Sequence, residues 1–387
     1  MKKILFLTHV GDPGGAEFEM IRHCTALAPR AEVMHFLPGT LSAHLKEHGI
    51  PERMLDMPES LAGIKRKDGI LKILKTIPAA LSFMTSLIKE TRRYDILVCM
   101  SQKSFILVAL AKIFIRRPLI WFMNDLVSEE HFNKHLIKLM TTLARLSANH
   151  IVLNSQASHD AWIKAGGQTK NISVIYPSVE IERFENTAKD PQAISALRQK
   201  FTPDNRPLIG MFGRITVWKG QDVFLRALAK TKDTRAIIVG EAYFGEQEYE
   251  QNLHTLIKEL HLEDRVTMTG HLDNIPAVMS ACDIIVHCST APEPFGLVIV
   301  EAMAAQKPVI ASNAGGAQEI VQNNITGQLT PPGDDTALAA AIKTYLDDPA
   351  WAEKLAKAGK NRVKDHFSTH ICNEKLKNII ANVEKHG

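Results

Sequence analysis

Short runs rich in Val, Ile, Leu and Phe recur along the chain, separated by helix-length amphipathic segments. ILFLTHV begins at residue 4, AEVMHFL at 31, YDILVCM at 94, PLIWFM at 118, HIVLNS at 150 and ISVIYP at 172. Runs that are apolar at every position, rather than at alternate ones, suit strands covered on both faces, as in a parallel sheet with helical crossovers. The rhythm stops at 178–206, a polar stretch without such a run, which is expected to be a linker. It resumes with PLIGMFGR at 207, RAIIVGE at 235, RVTMTG at 265, DIIVHCS at 283, PVIASN at 308 and GQLTPP at 327, and residues 334–387 then read as helix throughout.

The pattern predicts an α/β chain of two Rossmann-like, doubly wound parallel-sheet domains facing each other across a cleft. The boundaries expected are 1–177, 178–366 and a terminal helix, 367–387, that crosses back to the first domain. A length of 387 residues with 45% hydrophobic content can bury two cores. Doubly wound sheets hold ligands at the carboxyl ends of their strands, which places the expected binding loops. The opening MKKILFLTHVG has too short an apolar run for a signal peptide and reads as the first strand. No apolar run approaches the roughly 18 residues of a membrane span. The five cysteines are scattered without CxxC spacing, which argues for a reducing, cytoplasmic setting and against a cysteine metal site.

Charge is divided unevenly. Residues 1–175 carry 23 Lys and Arg against 15 Asp and Glu, and residues 176–387 carry 23 against 27, so the halves are +8 and −4. Much of the excess lies in 63–94, where Lys65, Arg66, Lys67, Lys72, Lys75, Lys89, Arg92 and Arg93 mix with aliphatics at helical spacing. Such a stretch is either a solvated basic face or a helix that rests on an anionic membrane. Nucleic acid is not an expected partner, because the basic stretch lacks interleaved aromatics.

The candidate chemistry follows the strands. GDPGGAE (11–17) places Gly14 and Gly15 before a helix, whose opening amides attract anions. The chain has neither the GxGxxG of dinucleotide binding nor a P-loop, which disfavours a nicotinamide oxidoreductase. GRITVWKGQD (213–222) carries Arg214 and Lys219 on one loop, two cations able to neutralise a diphosphate. PEPFGLVIVEAMA (292–304) places Glu293 in a loop and Glu301 about two turns into a helix that starts near Phe295. In a continuous helix the two would stand about 12 Å apart along the axis, somewhat beyond the separation at which paired carboxylates cleave a glycosidic bond. Between them lie the amides of Phe295, Gly296 and Leu297 at a helix N-terminus. Carboxylate, anion site, carboxylate suits an extended ligand with hydroxyls at both ends and phosphates in the middle, such as a nucleotide sugar. SNAGGAQEIV (312–321) is a further backbone-exposing turn, and Asp334 of PPGDD is expected to cap a helix rather than to bind metal.

Together GGAE (14–17), GRITVWKG (213–220), PEPFGLVIVEAMAAQKPVIAS (292–312), GGAQEIV (315–321) and TGQLTPPGD (326–334) resemble family 4 of the retaining nucleotide-sugar glycosyltransferases, which have the GT-B fold. The resemblance implies that Arg214 and Lys219 hold the diphosphate, that Glu293 contacts sugar hydroxyls, and that the amides of Phe295, Gly296 and Leu297 contact sugar and phosphate. It implies that Glu301 binds the ribose, that the base rests near Gly240 and His271, and that Gly14 and Gly15 close over the diphosphate. No metal or other cofactor is implied, and the donor is expected to be UDP-linked rather than GDP-linked. The acceptor implied is a saccharide or lipid-linked saccharide in bacterial-type polysaccharide or glycoconjugate synthesis, at the inner face of a membrane. Asn124, before Asp125, stands where related sequences commonly have histidine. It can exchange hydrogen bonds beside the sugar but carries no charge. His9 reads as a packed or turn histidine. Two rivals stand beside this reading: a nucleotide-sugar-binding scaffold without turnover, and a GT-B epimerase of UDP-sugars.

Overall fold

A computed structural model describes residues 2–63, 76–243 and 245–386. The chain divides into two compact units, one of residues 1–177 with 370–387 and the other of residues 178–369.

The first unit is built on seven parallel strands: β1 (Ile4–Thr8), β2 (Ala31–His35), β3 (Glu52–Met54), β4 (Ile96–Cys99), β5 (Leu119–Met123), β6 (His150–Leu153) and β7 (Ile172–Val174), in the order β3-β2-β1-β4-β5-β6-β7. The order reverses direction at β1 and β4, which pair in register from Ile4 opposite Ile96. Each central strand sends alternate side chains into two separate cores. Leu5 and Leu7 of β1, Leu97 and Cys99 of β4, and Leu119, Trp121 and Met123 of β5 enter one core, where the Trp121 ring stacks on Phe105 at 3.8 Å. Ile4 and Phe6, Ile96 and Val98, and Ile120 and Phe122 enter the other, which is closed by Cys372, Leu376, Ile379, Ile380 and Val383 of the last helix, Thr369–His386. Burial on both faces is why these runs show no polar alternation. The last helix is held further by the fully buried His23, whose Nδ1 lies 2.6 Å from Asn373 Oδ1.

The sequence pattern missed β3. It is a three-residue edge strand with Met54 half exposed and Arg53 paired to Glu32 at 2.6 Å, so no second face demands apolar residues. Lys65, Arg66, Lys67, Lys72 and Lys75 of the basic stretch lie outside the described residues. Its described part is the helix Ile77–Thr91, which buries Phe83 and Leu87 and exposes Ile77 and Leu81.

The second unit holds six parallel strands, β8 (Leu208–Phe212), β9 (Arg235–Val239), β10 (Val266–Gly270), β11 (Ile284–His287), β12 (Val309–Ser312) and β13 (Gln328–Thr330), in the order β10-β9-β8-β11-β12-β13. Its reversal lies at β8 and β11, where Ile284 pairs with Ile209. The polar stretch 178–206 is not open chain. It forms the helices Ile181–Thr187 and Pro191–Phe201, of which only Ile181, Phe184 and Phe201 are buried. Asp334 caps the helix Asp335–Asp347 by accepting from the amides of Thr336 and Ala337 at 3.0 and 2.8 Å.

Candidate active site

In the second unit the loops after β8 and β11 lock together. After β8 the chain runs through Arg214 to a 3₁₀ turn, Val217–Lys219, and then to the helix Gln221–Lys230. Gly220 joins the two with φ of 75°, and a Cβ there would lie 2.2 Å from the carbonyl oxygen of Cys288. Only glycine meets both demands. Opposite, the Thr290 amide donates to the Trp218 carbonyl at 2.8 Å. Lys219 is thereby carried to the loop that follows β11, with its ammonium 4.5 Å from the centre of the Trp218 ring.

Glu293 sits at the centre of this junction with 6% of its surface exposed. Its Oε1 receives Lys219 Nζ at 2.7 Å, His287 Nε2 at 2.5 Å and the Ser289 hydroxyl. Among the described residues no donor reaches Oε2. Burial by itself would raise the Glu293 carboxyl, but its interactions with His287 and then with Lys219, both of which hydrogen-bond to it, outweigh burial and hold the group well below the usual carboxylate range. The site therefore presents a fixed carboxylate with one oxygen committed and one open.

The backbone under Glu293 is supported by the turn after β12. The Gly316 amide donates to the Glu293 carbonyl at 3.0 Å. A Cβ on Gly315 would lie 2.4 Å from that carbonyl oxygen, and one on Gly316 would lie 2.4 Å from Phe295 Cα. The glycine pair that reads as a ligand-facing turn is the seat of the Glu293 loop. Phe295 is buried and packs edge-on to Phe367, with ring centres 5.7 Å apart. Gly296 caps the helix Leu297–Ala304, so Glu301 is its fifth residue, little more than one turn in rather than two. The first-turn amides of such a helix have no carbonyl within it to bond.

The remaining residues of the second unit are more exposed. Arg214 is exposed, and its carbonyl accepts from Gln221 Nε2 at 2.9 Å. The Gly240 amide donates to the Gly270 carbonyl at 3.0 Å, and its α-carbon lies against the Gly213 carbonyl. The His271 amide donates to Glu241 at 3.1 Å, and its ring is 3.4 Å from Asp273.

In the first unit the corresponding loops follow β1, β4 and β5. Gly14 caps the helix Gly15–Leu27, and its amide donates to Glu17 Oε2 at 3.1 Å while Thr8 donates to Oε1 at 3.1 Å. That turn is thus already answered by a carboxylate. Burial raises the Glu17 carboxyl more than those bonds lower it, which favours its uncharged form. Asn124 follows β5, and its side chain donates to the Met100 carbonyl at 3.2 Å. Gln102 donates to the neighbouring Asp125. The amide of His9, just after β1, donates to the Ser101 hydroxyl oxygen at 3.3 Å.

Comparison with known proteins places these loops in a family. Residues 13–183 match the model described as Glycosyltransferase Family 4, and residues 194–362 the model described as Glycosyl transferases group 1. The Anabaena protein HepE, solved in complex with UDP-glucose, is 35% identical, with a TM-score of 0.88 over 99% of this chain and 100% of that chain. The chain belongs to the family 4 glycosyltransferases. Its fold is GT-B, shared with a Rickettsia africae glycosyltransferase at a TM-score of 0.82 and 23% identity. A GDP-mannose-dependent phosphatidylinositol monomannoside mannosyltransferase of Mycolicibacterium smegmatis is 27% identical over 62% of this chain and 65% of its own length. For a 2-deoxystreptamine glucosyltransferase of Streptomyces kanamyceticus the identity is 32%, over 53% of each chain. The chain thus spans from about half to just under two thirds of these curated relatives.

Two residues that hold Glu293 escaped the sequence reading. His287 lies within the run DIIVHCS and passes for a core position, and Ser289, which closes the run, passes for a turn residue. The available signal is a polar residue ending a strand that is otherwise apolar on both faces, six residues before Glu293.

Proposed function

We propose that this family 4 chain is a retaining glycosyltransferase that moves a sugar from a UDP-linked donor to a saccharide or lipid-linked saccharide. The observation that carries the reading is the Glu293 carboxylate, pinned through Oε1 by Lys219, His287 and Ser289 with Oε2 open. A fixed, ionised acceptor suits a sugar hydroxyl. An ammonium has three hydrogens, so Lys219 can keep Glu293 and still reach a phosphate. Arg214 supplies the second cation, a planar fork suited to phosphate oxygens.

In this reading the bond between the anomeric carbon and the β-phosphate oxygen breaks as the acceptor oxygen bonds to that carbon on the same face. The departing phosphate takes the acceptor's proton, so no protein base is required. Lys219, Arg214 and the helix amides at Phe295, Gly296 and Leu297 offset the charge that develops on the leaving group. Glu301 is assigned to the ribose, and Gly240 and His271 to the base. Gly14, Gly15 and Asn124 are the proposed contributors from the first unit. HepE, bound to UDP-glucose in its crystals, supports a UDP-linked donor. Neither a metal nor another cofactor enters the scheme.

Binding tests the donor. UDP-glucose should raise the melting temperature in the presence of a chelator, and GDP-mannose should raise it less. A larger shift with GDP-mannose, or a shift that requires a divalent cation, would overturn the assignment. Conversion of UDP-glucose with no acceptor present would favour an epimerase. An anionic membrane is the further partner we propose, through 63–94. Among the described residues, no helix is long and apolar enough to cross one. Charge reversal at Lys89, Arg92 and Arg93 should release the protein from phosphatidylglycerol vesicles, and unchanged co-sedimentation would remove that partner.

A further inference from the structure

The proposed chemistry asks Glu293 to present one oxygen, and the structure contains a device that decides which. Three donors converge on Oε1: the ammonium of Lys219, the hydroxyl of Ser289 and Nε2 of His287. Two of them come from the end of β11 and the residues just beyond it, a buried and rigid element. His287 is 5% exposed and Ser289 1% exposed. The other ring nitrogen, His287 Nδ1, is buried and has no hydrogen-bond partner among the described residues. A hydrogen on Nδ1 would be an unmatched buried donor, which is more costly than an unmatched ring nitrogen. A carboxylate oxygen 2.5 Å away can only accept, so Nε2 carries the hydrogen.

We infer that His287, in its Nε2–H tautomer and assisted by Ser289, is a positioning residue that fixes the rotamer of Glu293 and keeps Oε2 as the open acceptor. His287 touches no substrate in this scheme. It acts by denying Glu293 the freedom to rotate and offer Oε1, or to swing fully onto Lys219. If the carboxylate turned, Lys219 would be held by both oxygens and withdrawn from the phosphate. The device therefore acts on turnover more than on nucleotide binding. This inference rests on the proposed transferase reading, and part of its test is independent of that reading.

The test uses the full chain and three substitutions. In His287→Gln the amide nitrogen falls near the place of Nε2 and can still donate to Oε1; in His287→Asn it falls near Nδ1 and cannot. With UDP-glucose as donor, His287→Asn should lower kcat about 10- to 100-fold, the scale of an angstrom-sized misplacement at a reacting centre. Its KM and its affinity for UDP should stay within about twofold of the wild type, because uniform binding is untouched. His287→Gln should recover most of the loss, and Ser289→Ala, which leaves β11 itself intact, should show a smaller fall in kcat alone. Equal losses in His287→Gln and His287→Asn at matched melting temperatures, or a parallel loss of UDP affinity, would overturn the inference. The independent arm is a long-range proton–nitrogen NMR spectrum of histidine-labelled protein, with the His287 signals assigned by their absence in His287→Gln. A protonated Nε2 and a bare Nδ1 are expected, and the reverse pattern would overturn the inference even if no sugar were transferred. Failure of every nucleotide sugar to bind or turn over, with the expected tautomer present, would refute the transferase reading and leave the positioning geometry standing.

Discussion

Glu293→Gln removes one charge from the second unit while keeping the volume of the side chain. The perturbed group is almost enclosed, since the side chains of Glu293 and Lys219 are 8% and 12% exposed. Orphaning a buried ion costs about 3–5 kcal/mol, and leaving a neutral hydrogen bond imperfect costs about 1–3 kcal/mol. The glutamine carbonyl can still accept from Lys219, so a destabilisation of about 2–4 kcal/mol is expected near pH 6. The pH dependence is more diagnostic. The native Glu293 carboxyl is held below its unfolded value, so its contribution to stability is complete above the free carboxyl range and is lost as pH falls through it. One proton changes stability by at most about 1.4 kcal/mol per pH unit. From a free value of about 4.3 down to pH 3, the gap between wild type and Glu293→Gln should therefore narrow by about 2 kcal/mol. Urea unfolding at pH 6, 5, 4 and 3 measures it. A gap that stays constant to pH 3 would refute the claim that Lys219 and His287 hold the carboxylate in its charged form.

Other changes probe other parts of the same design. Gly220→Ala would place a methyl group in a left-handed conformation and 2.2 Å from the Cys288 carbonyl; about 2–4 kcal/mol of strain and overpacking should lower the melting temperature on the order of 10 °C by calorimetry. Glu301→Ala should weaken UDP binding about 10-fold or more, the loss of a hydrogen bond to a charged group, and leave turnover at saturating donor nearly intact. Glu293→Ala should do the opposite, and equal effects of the two in both assays would contradict the division of roles. Asn373→Ala leaves the buried His23 without its 2.6 Å partner and should speed amide exchange in Thr369–His386, with the second sheet unchanged.

The sheets were legible because two-sided burial writes itself as uninterrupted apolar runs such as ILFLT and IIVH. β3 was not, because an edge strand of three residues can be Glu, Arg and Met. The helices of 178–206 were hidden by a thin apolar stripe, and the polar stretch read as linker. At the site, the spacing of Lys219 and Glu293 on two loops, and of Glu301 in the helix that follows, was visible in the sequence. The partners of Glu293 were not, since His287 lies 68 residues from Lys219 in the chain and the two converge only at Glu293 Oε1, once β8 and β11 have paired. The role of Gly315 and Gly316 was also illegible. A glycine pair that yields room for a ligand and one that yields room for a neighbouring loop look the same in sequence.

The reaction itself is tested by transfer of sugar from a set of UDP-linked α-glycosides to saccharide and lipid-linked acceptors, in chelator, with the anomeric configuration of the product read by proton NMR. An α-linked product is expected from the wild type, with the rate reduced by about 100-fold or more in Glu293→Gln and in Lys219→Ala. A β-linked product, or transfer that survives both substitutions unchanged, would contradict it.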